Sequence, residues 1–360
     1  MLFVKVDDLK PGMRLGKPIY NKNGVMLYDR DSRLSMQAIF GIKNFNLMGL
    51  YILEPAEPLP PMSEDDINFE RFQTMAVFSI REDLDLIAAG KKDKGLDWLC
   101  SLILRNYGSL ERKINFVQSL RSNEDFVYKH VLNVAILTAL ISGQLGLPQS
   151  TVNTLVKSAV LHDIGALGYE QTLNSQEDTQ EMKMTIRKNT QEILEQHMDL
   201  SPEYQQLINL VHELYVNEGG EIPANVKASV NANIIYVADA YDRMTAMKSY
   251  AEPTSEVKAI RDLLDAPERY DPKIVNALIK AINILYPGVC VELTTGAKGL
   301  VILENEEDVF EPTVLDFRDN KLYDLSRPSV KREVQIADVM KTMDNRIKLD
   351  RTLLEEYQPV

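Results

Sequence analysis

The feature that most constrains the fold is the stretch from Ser63 to Leu285, in which apolar side chains recur at helical spacing. It follows the segment EPAEPLPP, whose four prolines cannot continue a helix or a central strand. It ends before the turn Tyr286-Pro287-Gly288, and the residues SEDD at its start favour a helix N-terminus with an acidic first turn. We therefore predict an all-helical bundle domain over 63–285, with helices at 64–90, 95–120, 127–145, 151–162, 180–198, 202–216, 227–247, 254–266 and 272–285.

Two smaller units flank the predicted bundle. Residues 1–54 carry the apolar runs FVKV and LYIL, the turn segment NKNG and a short apolar helix near Met36–Ile42, a pattern typical of a small α+β domain. Residues 55–62 then form a Pro-rich linker. After Gly288 the sequence changes to CVEL, GLVIL and PTVLDF, which predicts a strand-rich C-terminal extension over 286–360. The predicted fold class is mainly α.

The net charge limits the classes of partner. The chain has a formal charge of −13, from 40 Lys and Arg residues against 53 Asp and Glu residues. Such a surface repels phosphate backbones and anionic lipids, which argues against duplex nucleic acid or a membrane as the main partner. A small anionic ligand stays compatible with this charge if a metal ion offsets it locally.

The cysteines and the N-terminus bear on the compartment. Cys100 and Cys290 are the only two cysteines and are far apart in the sequence, which predicts neither a disulfide framework nor a cysteine zinc site. The segment MLFVKVDDLKPGM has no long apolar region, and no uninterrupted apolar run of membrane-spanning length follows it. We expect a cytoplasmic protein in a reducing environment.

A histidine and an aspartate stand side by side at the end of an apolar segment in SAVLHDIGALGYE. These are His162 and Asp163, in a chain with four histidines. Imidazole and carboxylate form a ligand set for Mn, Fe, Ni or Zn, and carboxylate-rich versions also accept Mg. Candidate partners on other helices are His130, His212 and Asp239.

The alternative is that these are ordinary core residues. A lone histidine on an apolar helix is more often a satisfied core or surface residue than a ligand, and His197, among charged residues, is expected to be exposed. Asp239, however, follows the apolar run NIIYVA, where an ionised carboxylate is costly to bury unless it is paired or bound to a metal. Asp242 lies one helical turn further along the same face.

At these residues the chain resembles the HD superfamily of metal-dependent phosphohydrolases, and more closely its HD-GYP branch, which hydrolyses the bacterial second messenger cyclic di-GMP. The similar segments are YKHVLNVAILTALISGQLGLPQSTVNTLVKSAVLHDIGALG, LVHELY, ANIIYVADAYDRMTAMKSY and YDPKIVNALI. Outside them, the N-terminal unit and the C-terminal extension also resemble the small domains that flank HD-GYP domains. The resemblance implies an HD-domain helical fold for 63–285.

The sequence departs from the pattern of the HD-GYP branch at several positions. Ala166 stands where the branch has the lysine of HDIGK, and residues 186–189 offer no histidine where the branch has a further ligand. Val211-His212 replaces a double histidine, and Lys248-Ser249-Tyr250 replaces Arg-Pro-Tyr. The Gly-Tyr-Pro triplet that gives the branch its name is absent from the sequence.

The resemblance implies a reduced metal site in this chain. It would hold a divalent transition ion, Fe or Mn first, with Zn, Ni or Mg also compatible. Asp163 and His212 are the implied catalytic residues, His212 acting as a general acid or as an additional ligand. The implied ligands of the ion are His130, His162, Asp163, Asp239 and His212.

The implied partner is cyclic di-GMP or a related cyclic dinucleotide, which Lys248 and Tyr250 would contact, together with a possible signalling protein. Because a cation and two ligands of the branch are missing, we expect a protein of cyclic di-GMP signalling with weak or no hydrolysis. The alternative is an active metal-dependent cyclic di-GMP phosphodiesterase that uses the reduced site. A purely structural scaffold is the third hypothesis.

Overall fold

The structure of the protein is a computed structural model, and it describes residues 2–21, 25–45, 47–54, 63–109, 113–116, 122–169, 173, 179–196, 201–217, 220–248 and 250–340. The linker predicted over 55–62, the predicted extension after residue 340, and His197 lie outside the described residues. The division of the chain into domains at these boundaries stays a prediction.

The N-terminal unit is a small sheet covered by one helix. The outer strands β1 (Leu2–Lys5) and β2 (Arg14–Leu15) pair antiparallel with the central strand β5 (Gly49–Leu53). The strands β3 (Ile19–Tyr20) and β4 (Met26–Tyr28) pair with each other. Ser35 caps the helix α1 (Met36–Lys43) by accepting a hydrogen bond from the Ala38 backbone N–H.

The part of the chain after Ser63 is helical, as predicted. Ser63 and Asp66 form a reciprocal capping box at the first helix, and Glu64 and Asp65 complete its acidic first turn. The helices that follow are α2 Glu64–Ala88, α3 Leu96–Tyr107, α4 Phe126–Gln144, α5 Gln149–Leu161, α6 Gln180–Gln196, α7 Pro202–Val216, α8 Ala224–Lys227, α9 Val230–Thr245, α10 Glu256–Leu264 and α11 Pro272–Ala281.

Two predicted helices extend further along the chain than the helices of the structure. The helix predicted over 95–120 ends at Tyr107, and the one predicted over 272–285 ends at Ala281. Ile282 has extended backbone angles and forms a parallel β-bridge with Ile114. The Ile114 N–H donates to the Ala281 carbonyl at 3.1 Å, so this pairing replaces the last turn of the helix predicted over 272–285.

The helix α4 lies at the centre of the helical core. It packs against α2, α3, α5, α9 and α11, and nearly every side chain from Phe126 to Ser142 is buried. By length and composition alone α4 could cross a membrane, but 89% of its apolar window is buried inside the structure. Packing against neighbouring helices therefore accounts for its apolar sequence.

The C-terminal extension forms a five-stranded antiparallel sheet, whose strands lie in the order β10 (Ile336–Val339), β6 (Cys290–Leu293), β7 (Lys298–Leu303), β8 (Thr313–Asp316) and β9 (Leu322–Asp324). This confirms the strands predicted at CVEL, GLVIL and PTVLDF. The sheet is joined to α10, because the Arg261 guanidinium donates to the backbone carbonyls of Ile336 and Ala337. The short helix α12, Pro328–Lys331, lies between β9 and β10 in the chain.

A close approach between α6 and the turn after α5 fixes the position of the His-Asp pair. A short 3-10 helix, Ile164–Ala166, follows the pair. At Gly165 a Cβ atom would lie 2.3 Å from the Thr190 backbone nitrogen and 2.4 Å from the Ile186 carbonyl oxygen. The Gly165 N–H also donates to Thr190 Oγ1 at 3.0 Å. Only glycine therefore allows α6 to pack at this distance.

We expect Gly165→Ala to lower the free energy of unfolding by about 1–3 kcal/mol, because the added methyl group meets backbone atoms that cannot move independently. Urea unfolding followed by circular dichroism measures this. Gly220→Ala is the matched control, since the nearest atom to its added Cβ is 3.6 Å away. Equal stability of the two variants would show that α6 is not held at this distance.

Candidate metal centre

Four side chains from three parts of the helical core converge on one point. His130 lies on α4, His162 and Asp163 follow the end of α5, and Asp239 lies on α9. All four are buried, and one ligand atom from each lies within 4.8 Å of the others. The predicted convergence is confirmed, and binding of a metal by these residues stays a prediction.

Both imidazoles direct Nε2 at the two carboxylates. His130 Nε2 lies 2.9 Å from Asp239 Oδ1, and His162 Nε2 lies 3.2 Å from the same oxygen. The distances to Asp163 are longer, 3.6 Å from His130 Nε2 to Oδ2 and 3.9 Å from His162 Nε2 to Oδ1. Four atoms at these separations can contact one ion after small side-chain shifts, since metal bonds to nitrogen and oxygen are about 2.0–2.2 Å long.

Hydrogen bonds fix which ring nitrogen carries the proton. His162 Nδ1 lies 2.7 Å from the Ala159 carbonyl, and a carbonyl only accepts, so Nδ1 is the protonated nitrogen. His130 Nδ1 donates in the same way to Asp242 Oδ2 at 2.7 Å. Each Nε2 is then free to face Asp239 with a lone pair, an arrangement that needs a proton or a metal ion between the two atoms. The donor set therefore fits a divalent cation.

A buried chain of polar side chains orients His130 from behind. Asp242 is fully buried and accepts from Asn133 Nδ2 at 2.8 Å through its second oxygen. Asn133 in turn accepts from Gln73 Nε2 on α2 at 3.0 Å. Carboxylates that hold the far nitrogen of a histidine ligand fix the ring orientation and make the near nitrogen more basic. Asp242 therefore has a supporting role in the site.

Arg243 places its guanidinium against the same carboxylates. Its Nε donates to both oxygens of Asp239 at 3.0 Å, and a terminal nitrogen donates to Asp163 Oδ2 at 2.5 Å. The guanidinium carbon lies 4.7 Å from the centre of the Tyr215 ring. Sequence analysis missed this residue, although its position four residues after Asp239 places both on one helix face.

These contacts shift the pKa values of the site. Burial alone would raise the pKa of Asp239, but Arg243 and the two histidines reverse the effect and hold it well below the ordinary value. The pKa of Asp163 is lowered against burial by the same three neighbours. For His130, burial and Arg243 act to lower the pKa, but hydrogen bonds to Asp239 and Asp242 raise it overall. The carboxylates of Asp163 and Asp239 are therefore ionised at neutral pH.

His212 lies beside the four converging residues and not among them. It is buried on α7, and its Nε2–H donates to the His162 carbonyl at 2.7 Å. Its Nδ1 has no hydrogen-bond partner within the described part of the chain. Burial lowers the pKa of His212 to about 4, so the ring is neutral at neutral pH and Nδ1 carries a lone pair. This atom can accept a proton or bind a cation.

The remaining predicted positions are Lys248, Tyr250 and Ala166. Lys248 and Tyr250 follow α9 and are half-buried, with the ammonium nitrogen 5.6 Å from the ring centre. Ser249 between them lies outside the described residues. Ala166, at the position of the missing lysine, is completely buried. Contact of Lys248 and Tyr250 with a ligand stays a prediction.

The segment that contains the four converging residues is similar to known proteins. Residues 127–244 match the family model described as HD domain. Over 250 residues the chain is 24% identical to the cyclic di-GMP phosphodiesterase PA4108 of Pseudomonas aeruginosa. The aligned region covers 68% of this chain and 58% of that protein. Over 185 residues it is 24% identical to the cyclic di-GMP phosphodiesterase PdeB of Borreliella burgdorferi, with 48% and 47% covered. The chain thus spans about half the length of these curated relatives.

We expect Asp163→Asn to abolish binding of a divalent transition ion while the helical content is retained, because the change removes a charged ligand atom and alters no backbone contact. Elemental analysis of the purified protein and circular dichroism measure the two effects. Asp83→Asn is the control, since Asp83 is a buried aspartate that accepts from backbone N–H groups of Lys94 and Gly95 outside the site. Unchanged metal content in Asp163→Asn would show that Asp163 is not a ligand.

The depressed pKa of His212 predicts a pH-dependent loss of stability. The folded protein holds the pKa of His212 at about 4, below the ordinary value of 6.5. Below pH 6.5 the unfolded chain therefore binds a proton at His212 while the folded protein does not. The free energy of unfolding is unaffected above pH 6.5 and decreases as the pH falls towards 4. In metal-free protein His212 should cost about 2 kcal/mol of unfolding free energy between pH 7 and pH 5.

His212→Gln tests this expectation, because the amide keeps a donor for the His162 carbonyl but does not titrate. Urea unfolding at pH 7 and pH 5 should show a smaller decrease in stability for this variant than for the unsubstituted protein. Parallel decreases would mean that His212 titrates alike in the folded and unfolded states.

Proposed function

We propose that the chain is an HD-GYP-like metal-binding protein of cyclic di-GMP signalling, a phosphodiesterase homologue with weak or no hydrolysis. One observation carries the proposal. His130 and His162 are buried, and each donates a hydrogen bond from Nδ1. Their Nε2 atoms both face the same oxygen of Asp239, beside Asp163. The relatives named cyclic di-GMP phosphodiesterases support the choice of ligand.

The proposed ligands of the ion are His130, His162, Asp163 and Asp239. Mixed imidazole and carboxylate ligands favour Fe or Mn and are compatible with Zn, Ni or Mg. When bound, such an ion supplies positive charge for a phosphate oxygen and lowers the pKa of a coordinated water. Asp242 keeps the His130 ring in place, and the buried surroundings of the four residues exclude bulk water.

His212 is proposed as a fifth ligand or as a proton acceptor. Its Nε2–H is held by the His162 carbonyl, so the nitrogen that can meet a ligand is the unprotonated Nδ1. A general acid must present a proton, which Nδ1 lacks, so the general-acid role is the less favoured of the two, while His212 lies outside the four converging residues that would hold the ion. Lys248 and Tyr250 are the proposed contacts to phosphate and base.

Weak hydrolysis follows from the charges that face the proposed phosphate. Buried Ala166 provides no cation, and loss of one donor to a developing negative charge costs about 2.7–4 kcal/mol in well-studied enzymes. Arg243 does not replace it, because its donors are directed at Asp163 and Asp239. A ground-state complex needs no such stabilisation, so binding can persist without turnover.

The alternative is an active phosphodiesterase. Its support is the complete set of four converging ligand atoms and the carboxylate that orients His130, features that a decayed site does not need to keep. A cytoplasmic location and a protein partner in signalling belong to both proposals. A purely structural scaffold would bind neither metal nor nucleotide.

We expect steady-state turnover of cyclic di-GMP below about 1 per second with Mn, Fe or Mg in excess, a rate under the usual enzyme range. Separation of linear and mononucleotide products measures it, with Asp163→Asn as the background control. Faster turnover would establish the alternative.

Calorimetric titration of the metal-loaded protein with cyclic di-GMP tests binding separately. Lys248→Ala should weaken binding by about tenfold, since it removes one charge-assisted contact, and Lys273→Ala on the exposed face of α11 should not. Absence of binding to the unsubstituted protein would leave the scaffold hypothesis.

A further inference from the structure

Arg243 bonds to the atoms that a metal ion would need. Its guanidinium donates to both oxygens of Asp239 and to Oδ2 of Asp163. Asp239 Oδ1 also faces Nε2 of both histidines, so this oxygen already has three nitrogen neighbours. A carboxylate oxygen has two lone-pair directions, and a cation about 2.1 Å from Oδ1 therefore has to replace at least one of these contacts.

The guanidinium is held in this position from its other face. Its side chain is 17% exposed, and Tyr215 on α7 covers it with the ring centre 4.7 Å from the guanidinium carbon. Arg243 and Asp239 are one helical turn apart on α9, so no loop movement is needed to form the pair. The Asp163 contact joins α9 to the turn after α5.

Electrostatics give the interaction a definite sign. Without Arg243, two carboxylates would be buried together with only the imidazoles of His130 and His162 as basic groups beside them, which is costly in a helical core. With Arg243 present, a divalent ion at the same carboxylates lies a few ångströms from a fixed positive charge and is repelled by it. Both the geometry and the charge therefore make Arg243 and the metal alternatives for one pair of carboxylates.

We propose that Arg243 is an internal competitor for the metal. It neutralises Asp163 and Asp239 in the metal-free protein and gives up hydrogen bonds to them when an ion binds. The site then has a lower metal affinity than its four ligands would give alone, and it stays folded without metal. This inference rests on the proposed metal site, but it makes a separate statement about Arg243.

The test is Mn²⁺ affinity and metal-free stability of the full chain with Arg243→Met, which keeps an unbranched side chain and removes the charge. We expect Arg243→Met to bind Mn²⁺ about tenfold or more tightly, because one charge-assisted hydrogen bond to a carboxylate is already of that size. In chelator the same variant should melt at a lower temperature than the unsubstituted protein, and saturating Mn²⁺ should remove the difference. Calorimetric titration and thermal melts give the two measurements.

Two further variants separate competition from general effects of charge or folding. Arg187→Met removes a cation that pairs with Glu213 beside the site, and its Mn²⁺ affinity should stay close to that of the unsubstituted protein. Arg243→Lys keeps the charge but loses the forked geometry, and should give an intermediate affinity. If Arg243→Met does not fold in chelator, Arg243→Lys replaces it as the test variant. A Mn²⁺ affinity of Arg243→Lys equal to that of the unsubstituted protein would then overturn the proposal.

Unchanged or weaker Mn²⁺ binding by folded Arg243→Met would overturn the proposal and show that Arg243 supports the ligands. If only Arg243→Met binds Mn²⁺, competition is established and the proposed metal binding of the unsubstituted protein fails. If neither protein binds Mn²⁺, both the competition and the metal site are rejected.

Discussion

The burial of three carboxyl groups in a helical core is the constraint on which the rest of this structure depends. Asp163, Asp239 and Asp242 are each at most 4% exposed, among helices whose other core positions are mainly apolar. Every one of the three is compensated by hydrogen bonds to histidine, arginine or asparagine. These partners come from different helices, so the packing of α4, α5 and α9 and the charge balance of the site are one arrangement.

The extent of the helical core is predictable from the sequence because helical periodicity and capping are local properties. The capping box at Ser63 and the strands after Gly288 are examples that the structure confirms. The end at Tyr107 has a local signal, since Gly108 is the C-cap of that helix, but the end at Ala281 is not predictable in this way. There the chain pairs through the bridge between Ile114 and Ile282, a contact between distant segments that no local pattern reports.

The candidate site shows the same division between local and distant signals. The four proposed ligands were predictable from a family resemblance together with the cost of burying Asp239 after an apolar run. Arg243 was within reach, since a spacing of four residues from Asp239 is a local signal. The chain from Asp242 through Asn133 to Gln73 was not, because it joins three helices and a neutral amide carries no distinctive pattern.

The position of the positive charge connects the fold to the proposed function. Where the HD-GYP branch has a lysine after its HDIG motif, Ala166 is completely buried, and its neighbour Gly165 lets α6 pack directly on this turn. A lysine at residue 166 would put an ammonium group at a position that is now completely buried, which is costly without a partner. The cation of this site instead comes from α9, where Arg243 faces the carboxylates. A positive charge beside the carboxylates, as at Arg243, stabilises the metal-free fold. A positive charge at residue 166 would instead act on the phosphate of a bound ligand. In the proposed function, the position of the cation on α9 therefore favours a stable site over a reactive one.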